Sequence, residues 1–207
     1  MPEHSQPMVI GLLGGIGSGK SAVGRILAEE GCVVSDADAI VRDLLNRADI
    51  QSELVSWWGE DILKDGRLDR AGIARVVFAD PDQRVRLEGL LHPRVEEERR
   101  RMFAAASDAR ALVVDAPLLL EAGLDEGCDV LVFVDTPQEH RVARVKDRGW
   151  TSEDLDAREK AQWPLDRKRQ VAHYVLVNDG DLATLRRRTI DLLQSLAPRT
   201  CDGDGEV

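Results

Sequence analysis

Short, wholly apolar runs alternate along this chain with longer stretches of helical periodicity, and that alternation sets the expected fold. Met8–Leu13 is a continuous apolar run that closes on glycines, the pattern of a strand buried on both faces of a parallel sheet. From Lys20 to Glu30 apolar residues recur at helical spacing (Val23, Ile26, Leu27), and the helix is expected to stop at Gly31. A second short strand follows over Cys32–Ser35, with acids just beyond it at Asp36 and Asp38. Between about Ala39 and Ala106 strand-like runs vanish, and helices are predicted around 40–45, 50–57, 70–78, 81–91 and 93–106. This stretch reads as a helical insertion, because the β/α rhythm then resumes. Apolar runs at Ala111–Asp115 and Val130–Asp135 each end in an acid, Gln138–Arg169 is charged and helical, and Tyr174–Asn178 is a fifth strand. An amphipathic helix over Leu182–Leu196 closes the pattern.

Five buried strands alternating with helices predict a three-layer α/β fold around a five-stranded parallel sheet. One domain is expected over residues 8–197, with its core in 8–38, 111–137 and 174–197, the helical insertion in 39–106, and a lid in 138–170. The polar residues before Met8 and the Gly- and acid-rich tail at 198–207 are expected to be disordered. No internal repeat is visible.

Composition narrows the classes. Hydrophobic residues make up 43% of the 207 positions and aromatics only 4%, so the core must be aliphatic. Three cysteines, Cys32, Cys128 and Cys201, are too few and too scattered for a disulfide framework or a cysteine metal site, which suits a reducing cytoplasm. The glycine-broken run at Met8–Ile16 lacks a basic lead and is no targeting signal, and no apolar run approaches the roughly 18 residues that span a bilayer. The net charge of −10 argues against a nucleic-acid surface.

One segment carries strong chemistry. Gly14-Gly15-Ile16-Gly17-Ser18-Gly19-Lys20-Ser21 matches Gly, four residues, Gly, Lys, Ser/Thr, set between a buried strand and a helix. Glycines there let successive backbone N–H groups converge on phosphates, and the following helix aims its positive end at the same point. Lys20 is expected to neutralise β- and γ-oxygens, and the Ser21 hydroxyl to help hold Mg²⁺. The expected ligands are therefore ATP and Mg²⁺, cradled by Gly15, Ile16, Gly17, Ser18, Gly19, Lys20 and Ser21. A polyanion on an acidic protein demands local positive potential from amides, a helix end and a few cations. No guanine-reading Asn-Lys-x-Asp segment is present, and the small chain, insertion and charged stretch suit a small-metabolite kinase.

From Gly11 to Gly180 the chain resembles the dephospho-CoA kinase family. Gly11–Ser21 is similar to that family's opening signature, with Leu13 where Thr is usual, and Asp36-Ala37-Asp38 resembles its acidic pair after the second strand. Leu91-His92-Pro93 resembles its Leu-His-Pro element, and Pro117-Leu118-Leu119-Leu120-Glu121 its Pro-Leu-Leu-aromatic-Glu element, with Leu120 in the aromatic position. Gln162 and Lys168–Gly180 are similar to its lid and adenine-loop pattern, with His173 where Asp is more usual. The resemblance implies phosphorylation of the ribose 3′-hydroxyl of dephospho-CoA by ATP, the last step of CoA synthesis. It implies Asp38 as catalytic acid–base group; Asp36 is expected to orient either the metal's water shell or the acceptor, and His92, Leu118 and Glu121 to contact the acceptor.

Each assignment has a plainer alternative. Asp36 and Asp38 could merely cap the next helix. Asp115 ends its strand as an outer-sphere Mg²⁺ partner would, or is a loop acid with no ligand. Asp135, followed by Thr136-Pro137, is expected to cap. Trp57, Trp58 and Phe78 either line an acceptor pocket or, as favoured here, form the core of the insertion. Arg99–Arg101 and Arg186–Arg188 read as solvated faces. The lid cations Arg141, Arg144, Arg148, Arg158, Lys168 and Arg169 are placed to close on a triphosphate. Arg144 and Arg148 compete for the phosphate-contacting role, and Arg148 is favoured because it directly precedes Gly149, a hinge candidate. Asn178 and Gly180 follow the last strand, where backbone contact with the adenine and a bare Asn-Asp-Gly turn explain them almost equally. The competing readings are a related small-molecule or nucleotide kinase, and a non-catalytic nucleotide switch.

Overall fold

The computed structural model describes residues 7–147 and 149–196. The expected disordered segments at 1–6 and 198–207, and Arg148, lie outside the described residues. Elements run in the order β1 (Val9–Leu13), α1 (Lys20–Glu29), β2 (Val33–Asp36), α2 (Ala37–Leu44), α3 (Ala48–Trp58), β3 (Leu63–Lys64), β4 (Arg67–Leu68), α4 (Arg70–Ala79), α5 (Pro81–Ala104), β5 (Leu112–Asp115), β6 (Val130–Asp135), α6 (Gln138–Lys146), α7 (Ser152–Glu159), α8 (Leu165–Val171), β7 (Tyr174–Val177) and α9 (Leu182–Leu196). They divide into two compact units. One is Ser35–Asp108, and the other joins Pro7–Val34 to the described residues from Ala109 onward.

In the second unit the strands form a five-stranded parallel sheet in the order β2-β5-β1-β6-β7. The central place of β1, between β5 and β6, explains why its sequence is apolar without alternation: both faces are covered. Ile10, Leu12, Val113, Val132 and Val134 form the aliphatic core with Val23, Ile26 and Leu27 of α1 and Leu185, Leu193 and Leu196 of α9. Parallel register brings the C-terminal ends of β1, β5 and β6 to one edge, where Gly14, Ala116 and Thr136 follow them. Ligands of open α/β sheets bind at that edge. The fifth strand departs from expectation. In β7 only Leu176 is buried, because the strand is an edge and α9 covers one face alone.

The other unit packs α2, α4 and α5 around Ile40, Leu44, Ile50, Leu54, Ile62 and Leu91. Sequence periodicity predicted two helices at 81–91 and 93–106, whereas α5 runs unbroken through Pro93. An interior proline costs about 3 kcal/mol, and burial of Leu90 and Leu91 beside α2 and α4 offsets it. The carbonyl that the Pro93 ring crowds belongs to Gly89, whose backbone yields most easily. A small hairpin also went unpredicted: Leu63↔Leu68 and Lys64↔Arg67 pair across Asp65-Gly66. Both turn residues have positive φ (53° and 74°), the signature of a type I′ turn, and Asp-Gly was its visible signal.

The charged stretch 138–169 is helical as expected and divides into three helices, α6 to α8. Two further corrections follow. Asp135 caps nothing, since Pro137 occupies the N-cap of α6 and the Asp135 carboxylate pairs with Arg169 instead. Phe78 is 76% exposed and no part of the core, while Trp57 and Trp58 do pack against that core, their two rings edge to face with each other at 5.8 Å.

Candidate functional site

The loop between β1 and α1 is built from inside out. Gly17 has φ +76°, and a Cβ there would lie 2.8 Å from the Arg141 carbonyl oxygen. At Gly19 (φ +95°) a Cβ would come 2.5 Å from Asn178 Nδ2. Only glycine satisfies both the dihedral and the close approach. Gly19 is the N-cap of α1 and supplies no side-chain cap, so no side chain takes the helix's leading amides.

The loop carbonyls, by contrast, are held by the protein. Lys20 Nζ donates to Gly14 O at 3.2 Å, and Ser18 N–H donates to Gly15 O at 3.1 Å. Arg141 reaches Ile16 O at 3.5 Å, and Arg144 Nη1 donates to Gly17 O and Ser18 O at 3.1 and 3.2 Å. Ser18 O also accepts from Thr136 Oγ1 at 2.8 Å and from Asn178 Nδ2 at 2.7 Å. In a trans peptide the C=O of one residue and the N–H of the next point opposite ways. Anchoring the carbonyls outward therefore turns the following amides inward. Arg144 is brought to the loop directly; its rival Arg148 lies outside the described residues. Asn178 meets the loop through its buried side chain, a role sequence reasoning missed, whereas Gly180 is exposed in the turn beyond.

The metal candidates lie on one side of α1. Ser21 is exposed in its first turn. Asp115, buried at the end of β5, places Oδ2 4.0 Å from where a Gly24 Cβ would be, one turn along the same face as Ser21. Among the described residues no group of three or more His, Cys, Asp or Glu stands together. A hydroxyl and one carboxylate fit Mg²⁺, which keeps waters and substrate phosphates as its other ligands.

A second layer comes from helices α6 to α8. Arg141 is buried on α6 and pairs with Glu159 of α7, and its Nε has no partner among the described residues. Lys168 on α8, with a side chain 3% exposed, sits 3.1 Å from Glu121 and donates to Gln162 Oε1 at 3.1 Å. It lines a small cavity with Gly14 and Lys20. Glu121 also accepts the Trp163 N–H at 2.6 Å. Burial pushes the Glu121 carboxyl up, but the Trp163 amide and the Lys168 ammonium outweigh it and hold the group below its ordinary value of 4.5. Leu118, in the same turn, is exposed.

Asp36, Asp38 and His92 belong to the other unit. Asp36 accepts the Ala39 N–H at 3.0 Å and so N-caps α2. Asp38 is exposed in the first turn of α2, and His92 is exposed on α5.

A family model described as dephospho-CoA kinase matches residues 8–184. The chain belongs to the dephospho-CoA kinase family. Similar dephospho-CoA kinases include that of Corynebacterium glutamicum, 42% identical over 92% of this chain and 98% of that protein. That of Deinococcus radiodurans is 41% identical over 94% of each chain. Among solved structures, TT1252 from Thermus thermophilus superposes with a TM-score of 0.79 at 36% identity, covering 93% of this chain and all of that one. The dephospho-CoA kinase of Campylobacter jejuni gives 0.67 at 22% identity over 91% and 96% of the two chains, a likeness of fold. Membership makes the chain an ATP-using kinase.

Proposed function

We propose that this kinase moves the γ-phosphoryl group of ATP to the ribose 3′-hydroxyl of dephospho-CoA, releasing ADP and CoA at the end of CoA synthesis. The observation that carries the proposal is the loop Gly14–Ser21, whose carbonyls accept hydrogen bonds from the protein's own donors while α1 begins at Gly19 without a side-chain cap. Phosphoryl transfer asks the protein for positioning, charge neutralisation and an acceptor for the hydroxyl proton. Lys20 and Arg144 supply cations beside the loop. Asp38, in the first turn of α2, takes the 3′-hydroxyl proton as the acceptor oxygen forms its bond to the γ-phosphorus. The bond from that phosphorus to the β,γ-bridging oxygen breaks, and the electron pair leaves on ADP. Ser21 and Asp115 are the residues to hold Mg²⁺, which neutralises developing phosphate charge when bound. Asp36, His92, Leu118 and Glu121 are assigned to the acceptor. Asp36 uses one oxygen to cap α2 and Glu121 is tied to Lys168, so each keeps a structural duty as well.

A cytoplasmic, small-molecule role accords with Cys32 and Cys128 being thiols rather than halves of a disulfide. Among the described residues no helix is long and apolar enough to cross a membrane. The test is an acceptor panel read by ADP release. Dephospho-CoA should be consumed, AMP, UMP, shikimate and gluconate ignored, and Asp38→Asn should slow turnover by orders of magnitude. Turnover of another acceptor would move the chain to a different substrate, and an unaltered Asp38→Asn rate would remove Asp38 as the base.

A further inference from the structure

We propose that Asn178 and Thr136 are positioning residues that set the Ser18–Gly19 peptide of the phosphate loop. The inference rests on the kinase reading and goes beyond it, because it moves Asn178 from an adenine contact to a strut beneath the phosphates. Three observations converge. Asn178 and Thr136 are both buried, at 3% and 8% exposure, although each is polar and ends a strand of the sheet edge. Both aim their donors at one acceptor, Ser18 O, at 2.7 and 2.8 Å. And Gly19 lacks the Cβ that would stand 2.5 Å from Asn178 Nδ2, so the loop is shaped to the amide.

Orientation of the amide is fixed from its other end, since Asn178 Oδ1 faces Arg144 Nη2 at 3.5 Å while Arg144 Nη1 bonds the same loop. A carbonyl gripped by two neutral donors and a guanidinium cannot swing inward. The Gly19 N–H, antiparallel to it across the peptide, is then held toward the loop's interior before ligand arrives. A donor aligned in advance binds an anion without reorganisation on arrival, which is where such an amide gains its strength. Thr136 and Asn178 hence act on the donor nucleotide without touching it. They also link the ends of β6 and β7 to the loop after β1, so three strand ends set one peptide plane.

The experiment measures ATP affinity by calorimetry, together with KM for each substrate and Tm, on Thr136→Val, Thr136→Ser, Asn178→Ala and the wild type. Thr136→Val keeps the shape and removes the donor, while Thr136→Ser restores it. Thr136→Val should weaken ATP about tenfold, the equivalent of about 1.4 kcal/mol, and Thr136→Ser should return it to within about twofold. Asn178→Ala should weaken ATP more, with KM for dephospho-CoA unchanged in all variants. A merely structural role would lower Tm and raise both KM values together, and would overturn the proposal. So would ATP affinity within twofold of wild type in a folded Thr136→Val or Asn178→Ala. Wild-type protein that binds no ATP would instead overturn the kinase reading and this inference with it.

Discussion

Replacing Lys168 by methionine tests whether the Lys168–Glu121 pair holds α8 to the turn after β5. The Lys168 side chain is 3% exposed and that of Glu121 17%, with their charged atoms 3.1 Å apart. Removing the ammonium leaves Glu121 with the Trp163 N–H as its strongest remaining partner, and with an Oε2 that already lacks one. Breaking a fully buried pair from one side costs about 3–5 kcal/mol, because the stranded charge stays desolvated. Glu121 keeps one amide and some solvent, so about 2–3 kcal/mol is expected here. For a protein of this size that lowers Tm by roughly 5–10 °C. Glu121→Gln in the same background removes the stranded charge yet keeps an oxygen for Trp163. The double variant should therefore lie closer to wild type than Lys168→Met does, with a coupling energy above about 1 kcal/mol. Thermal unfolding and hydrogen exchange of the backbone around Trp163 provide the readouts. A Lys168→Met cost below about 1 kcal/mol, or a double variant as unstable as the two single losses added, would refute the reasoning.

The same carboxyl predicts a pH dependence. Its native value is depressed, so its contribution to stability is present above 4.5 and disappears as pH falls through the lower native value. Exchange protection around Trp163 should hold at pH 6 and decline below about 4.5, and in Lys168→Met the decline should begin at higher pH. Lys20→Ala should leave Tm within a few degrees while turnover falls by about 10² or more, because the interaction lost is with transferring phosphate; equal rates would exclude Lys20 from that role. Gly17→Ala forces a Cβ to 2.8 Å from the Arg141 carbonyl at positive φ, so about 1–3 kcal/mol of strain and a measurable loss of ATP affinity are expected. Residues 138–170 should be cut by protease without nucleotide and protected with it; identical cleavage would argue against a lid.

Elements whose sequence signal was local were legible, and those decided by tertiary partners were not. The phosphate loop could be read because each residue type answers to its own backbone geometry: Gly17 and Gly19 to positive φ, Lys20 to the helix start. The three inner strands, β1, β5 and β6, could be read because burial on two faces leaves no polar alternation. The edge strand β7 carries the same apolar run as the others, although three of its four side chains are exposed. The run alone cannot separate edge from centre. Pro93 misled for a related reason, since a local rule yielded to burial of Leu90 and Leu91. Asn178 was visible as an adenine-loop or turn residue and Thr136 as a residue after a strand, neither as a partner of Ser18. Their convergence on Ser18 O joins positions 118 and 160 residues distant along the chain, and no spacing rule spans that.

The charge of the chain poses the sharpest physical question, and the site answers it locally. A net −10 opposes binding of a polyanion only if the acids act at the site, and at physiological ionic strength screening sets in beyond roughly 8 Å. What matters is the set of groups bonded to the loop itself. Lys20, Arg141 and Arg144 all donate to loop carbonyls, while Glu159 offsets Arg141. Lys20 and Arg144 set positive charge directly against the loop carbonyls, and the amide dipoles add to it. Using cations to hold carbonyls serves both ends at once. The bond that orients the peptide also places positive charge behind it, and neither depends on the sign of the distant surface.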